Sequence, residues 1–240
     1  MRPGRLLLFD VARTYCRDLA GVDAAQDFLQ FKMSAAEHAR EQILMVVNRG
    51  VTTFAAVIDP ATGRPTNVTK ESHDPFGVME LRMWFDLLLF ELASIEDALV
   101  QAANVVFEFN EPPENMSLRK TVHQRIASEL ETKYGLAPPQ SEMTGLHYWL
   151  TPEPWLRDMR ELRNQATHRQ LVKLLESKAW NKELTTPPAG GYLRSDCYVD
   201  LGDGREEPIG AWVALTVDQV KDLLNVSAKR LAVVLTLLRQ

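Results

Sequence analysis

Within RELRNQATHRQ, residues 160–170, a guanidinium, a carboxamide and an imidazole fall close together as Arg163, Asn164 and His168. On a helix, residues four apart share a face. Arg160, Asn164 and His168 then form one row, with Arg163 and Thr167 in the adjacent row. Arginine holds a phosphate bidentately and stays charged at every working pH. Histidine exchanges protons near neutrality. From Pro152 to Lys182 there are seven Lys or Arg (157, 160, 163, 169, 173, 178, 182) against four Asp or Glu (153, 158, 161, 176). The segment is therefore +3 inside a chain whose formal net charge is -5. A local positive patch beside an imidazole suits a phosphate-bearing ligand.

The elements that position these residues follow from periodicity and punctuation. Asp74-Pro75 predicts a helix start, with Asp as cap and Pro in the first helical position. From there Leu81, Phe85, Leu88, Leu92, Ile95, Leu99, Ala102, Val106 and Phe109 recur at steps of three and four, the stripe of a core helix. Beside it runs the row Trp84, Glu91, Ala98, Val105. An unpaired carboxylate in such a row is costly, so Glu91 either turns to solvent or meets a cation, Arg160 or above all Arg163. Ser117 and Gly135 bracket a second helix, 118–134. Thr151-Pro152 starts a third, expected to run to about Trp180. The stretch 191–215, turning at Gly202-Asp203-Gly204, reads as a β-hairpin. A last helix starts at a capping box, Thr216 and Gln219, as another box at Ser34 and Glu37 starts a helix over 35–48. Residues 51–59 fit either a continuation of that helix or a strand, and the loop 59–67 follows.

The expected fold is therefore all-α. An up-and-down four-helix bundle spans 73–240, preceded by an N-terminal helical extension, 1–72, with the small hairpin before the last helix. Arg-Asn-x-x-x-His on a late helix of such a bundle resembles the RxxxxH signature of the HEPN superfamily, at Arg163, Asn164 and His168. The resemblance covers about Pro75 to Leu238. It implies a homodimer with a composite active site and metal-independent cleavage of single-stranded RNA, as a toxin or antiviral effector. It also implies a neutralising antitoxin or nucleotidyltransferase partner. The alternative is a catalytically silent bundle of the same kind that binds RNA or nucleotides or serves assembly.

The residue types fit that chemistry. RNA carries its own nucleophile, the 2'-hydroxyl. His168 can act as base or acid, and Arg163 can stabilise the developing charge. Asn164 can orient the ring or hold a phosphate oxygen. Arg160, Thr167, Arg169 and Glu91 are the expected RNA-binding or supporting side chains. No cofactor or metal is called for: His38, His73, His123 and His147 are scattered without ligand spacing.

Composition narrows the setting. Of 240 residues 45% are hydrophobic and 25% charged, a globular balance. An acidic chain does not coat nucleic acid over its whole surface. Two cysteines, Cys16 and Cys197, imply no disulfide framework. No apolar run is long enough to span a membrane or to direct secretion, so a cytoplasmic location is expected.

Overall fold

Pro75 opens the longest helix, as its fixed φ and missing N–H favour. The computed structural model describes residues 6–49, 52–58, 61, 65–73, 75–135, 146–167, 174–176, 192–194 and 197–240. At 52–58, 65–73, 119–120, 147, 174–176 and 192–194 it describes the backbone alone. The molecule is mostly helical, with α1 (Leu7–Tyr15), α2 (Leu19–Arg49), α3 (Pro75–Val106), α4 (Gln124–Tyr134), α5 (His147–Leu150), α6 (Pro154–Thr167) and α7 (Ile209–Arg239). Strands are β1 (Thr52–Ile58), β2 (Pro65–His73), β3 (Leu174–Glu176), β4 (Tyr192–Arg194), β5 (Cys197–Gly202) and β6 (Arg205–Pro208).

The chain divides into two units. The first holds Met1–Glu37, Leu89–Glu161 and Thr216–Gln240; the second holds His38–Leu88 and Leu162–Leu215. This division does not coincide with an extension, 1–72, followed by a bundle, 73–240. Residues 1–37 belong to the same unit as α4, α5 and most of α7, and Leu8, Phe9 and Ala12 of α1 are fully buried.

The first unit is helical. The α3 row supplies Leu92, Ile95, Leu99 and Val106 to its core, all at 0% exposure. Gly135 ends α4 in the left-handed region, φ 63°, and its N–H donates to the Glu131 carbonyl at 2.8 Å, the expected glycine stop. The stretch HYWL is the single helical turn α5. Trp149 anchors it, 1% exposed, its indole N–H donating to Ser227 Oγ at 2.9 Å.

The second unit holds two antiparallel three-stranded sheets, ordered β2-β1-β4 and β3-β5-β6. The hairpin β5–β6 turns through Gly202, Asp203 and Gly204, with φ of 83°, 52° and 73°. Three successive positive values explain the glycines, and Asp is among the few other residues that tolerate the region. β1 settles the ambiguity at 52–58 in favour of strand, as its β-branched Thr52 and Thr53 allow. It pairs with β2 from Thr52↔His73 to Ile58↔Pro65, so part of the expected loop is strand. β3 replaces the later part of the expected third helix and pairs Leu175 with Tyr198. Residues 209–215, expected in the hairpin, form the first turns of α7. There Trp212 packs at 5.6 Å against Phe85.

Both predicted capping boxes lie inside longer helices. Ser34 sits in the middle of α2, whose buried row Val22, Leu29, Met33, Ala36 passes through it. Thr216 is buried at 1% within α7. A serine or threonine caps only where the chain before it is not helical. Here the apolar row is continuous on both sides.

Glu91 is buried, as its row requires, and its cation is Lys32 of α2. The ammonium lies 3.0 Å from Oε2, with side-chain exposures of 12% and 8%. The approach is off the line of a directed hydrogen bond, so the contact is an ion pair. The ammonium also lies 5.6, 5.8 and 5.2 Å from the ring centres of Phe28, Phe31 and Phe90, where ring faces attract a cation. Removing one member of a buried pair strands the other. Lys32→Met is expected to lower unfolding stability by about 3 kcal/mol, and Lys32→Met with Glu91→Leu to regain most of it. Urea denaturation of both variants checks this; equal losses in the two would contradict it.

Candidate functional site

The candidate motif begins on α6. Leu156, Met159 and Leu162, each at 1% exposure, form the buried side of this helix. Arg160 and Arg163 flank that side, both half-buried, and Asn164 is exposed. The helix thus presents Arg163 and Asn164 in its last turn, ending at Thr167. Thr167 Oγ1 donates to the Arg163 carbonyl at 2.8 Å, the i−4 back-bond open to a helical threonine.

Arg163 Nε is buried and has no hydrogen-bond partner among the described residues. A buried guanidinium nitrogen in that condition favours any ligand that brings an acceptor oxygen. His168 and Arg169 lie outside the described residues, as does most of the expected run to Trp180. The structure therefore brings Arg163, Asn164 and Thr167 onto one helical turn.

Two expected supporting residues have other roles. Arg160 is held by Glu96, with Nη2 2.6 Å from Oε2, and by the Trp149 carbonyl at 3.1 Å. Glu91 meets Lys32 rather than Arg160 or Arg163. The expected Glu91–arginine brace is thereby corrected. Arg160 meets the carboxylate five residues further along α3, and the lysine on α2 lies closer to Glu91. Lys32 escaped notice in the sequence because α2 was expected to begin only after Ser34. The signal available was a lysine beside Phe28 and Phe31, a long cation between aromatic neighbours.

Among the described residues, the Cys16 thiol is not a competing nucleophile. The Cys16 thiol is pushed up by burial first and by the Glu108 carboxylate next, against the lowering influence of Arg239. It donates to the Val106 carbonyl at 3.1 Å. A buried, protonated thiol is inert. Burial likewise raises the Glu129 carboxyl, with Arg239 and Arg125 opposing.

Among the described residues no helix is long and apolar enough to cross a membrane. Comparison with known proteins gives no match, whether to a family model, to a curated protein or to a solved structure.

Proposed function

We propose that this chain is a metal-independent endoribonuclease of the HEPN type, acting on single-stranded RNA as a toxin or antiviral effector. The observation that carries the reading is the Arg163–Asn164 pair in the last turn of amphipathic α6, at the motif's spacing from His168. The unpartnered Arg163 Nε supports it, because a phosphoryl oxygen would satisfy that buried donor. In this reading α3, α4, α6 and α7 correspond to the four bundle helices. The 2'-hydroxyl attacks the adjacent phosphorus, His168 takes its proton, and Arg163 holds the charge on the phosphoryl oxygens. The 5'-oxygen leaves with a proton from a second imidazole, supplied by a homodimer. An antitoxin or nucleotidyltransferase partner belongs to the same reading.

The dimer needs a face of its own. The row Leu81–Phe109 is buried within the protomer. A dimer would bury the α6 end around Arg163 instead.

The test is the pattern of total RNA incubated with the pure chain. Arg163→Ala and His168→Ala are each expected to lower cleavage by roughly 10²–10⁴-fold while keeping the circular dichroism of the parent. Cleavage is expected to persist in excess EDTA and to leave 2',3'-cyclic phosphate and 5'-hydroxyl ends. Activity unchanged in either folded variant, or restored only by magnesium, would reject the mechanism. RNA binding without cleavage would favour the silent module.

Light scattering is expected to give the mass of two chains at micromolar concentration. A monomer that still cleaves would reject the shared site.

A further inference from the structure

A groove in the first unit lies between α7 and the turn that leads from α5 into α6. It holds about 370 Å³, at the lower end of the range for small-molecule sites. Leu156, Leu223 and Val226 give it an apolar floor, and Tyr148 and Trp155 add aromatic surface. Hydrophobic and aromatic lining with a few placed polar groups is the usual make-up of a ligand pocket.

Near Gln219 the charged groups of the lining are carboxylates, with one cation, Arg230, further along α7. Glu153 Oε2 accepts the Trp155 indole N–H at 3.2 Å, which holds that carboxylate beside the ring. Asp222, exposed on α7, adds a second carboxylate to the lining. Gln219 Oε1 is buried and has no hydrogen-bond partner among the described residues. Gln219, Asp222, Leu223 and Val226 follow one another at steps of three, one and three, so α7 presents them on one face. The lining cation, Arg230, lies eleven residues beyond Gln219, roughly 16 Å along the helix axis.

An anion entering at Gln219 would meet two carboxylates. A purely apolar molecule would leave the buried amide oxygen without a donor. A cation carrying N–H groups satisfies the amide oxygen, offsets the carboxylates and is attracted by the ring faces.

We propose that this groove binds a small organic cation, a guanidinium or primary ammonium on a short apolar stem. The volume suits one small molecule rather than a length of peptide, so the occupant is a free small cation. The site does not rest on the ribonuclease reading, and its test does not use RNA.

The test is calorimetric titration of the intact chain with three probes of one shape: n-butylguanidinium, N-butylurea and butyrate. Butylguanidinium is expected to bind with a Kd at or below about 1 mM, the neutral urea about tenfold more weakly, and butyrate not measurably. Asp222→Asn and Gln219→Leu are expected to weaken butylguanidinium, whereas Gln219→Glu, which places a carboxylate where the amide was, is expected to tighten it. Thermal midpoints of the variants show that each is folded. Equal binding of the urea and the guanidinium would overturn the site. So would weaker binding by folded Gln219→Glu, no heat from butylguanidinium up to about 10 mM, or tighter binding of a capped Gly-Arg-Gly peptide.

Discussion

The buried row of α3 is the constraint that the other elements must meet. Leu81, Phe85 and Leu88 belong to the second unit and Leu92, Ile95 and Leu99 to the first, none more than 1% exposed. Covering one such side chain contributes about 1.5–3 kcal/mol, so a row of this length dictates what packs against it. In the second unit Trp212 answers Phe85. The opposite side of the helix stays bare, with Phe76, Met79, Met83 and Phe90 at 53–75% exposure. The same periodicity that marks a core helix thus says nothing about an interface.

Much of the helical frame was legible because it rests on local chemistry. Pro75 and Gly135 mark ends that only those residues make cheaply, and Gly202-Asp203-Gly204 marks a turn with three positive φ values. The misplaced starts share one cause. At Ser34 and Thr216 a two-residue capping signature outweighed an apolar row that runs straight through it. A cap contributes about 1 kcal/mol, less than the burial of two or three side chains on either side of it. The β2 and β3 strands were missed for another reason. A strand three to nine residues long exists through its cross-strand partner: β3 depends on β5, later in sequence, and β2 on β1, whose own residues fitted helix or strand.

Side-chain pairing was legible in kind and illegible in identity. Of solvent or a cation, the two outcomes open to a carboxylate in an apolar row, Glu91 takes the cation. Which cation depends on helix packing, and Arg160 and Arg163 of α6 were both reasonable on charge alone. Arg160 pairs with Glu96, which lowers the number of α6 cations available to a phosphate below the sequence count. The positive excess of residues 152–182 is thus partly internal, and the burden of binding an anion falls more heavily on Arg163.

Two buried, unpartnered atoms then ask for opposite ligands. Arg163 Nε is a donor on a fixed cation in the second unit, and Gln219 Oε1 is an acceptor flanked by carboxylates in the first. An unmet buried polar group costs about 1–3 kcal/mol, so each site discriminates by the sign of what would relieve it. On the proposed readings, the Arg163 turn would disfavour a cation for the same reason that the α7 groove would disfavour a phosphate. In a chain with net charge -5, the first is the exception to the overall field and the second follows it. The proposed anion binding at Arg163 would therefore depend on close, partly desolvated contact, where local geometry outweighs the long-range charge that salt screens. Cation binding at the groove gains from both.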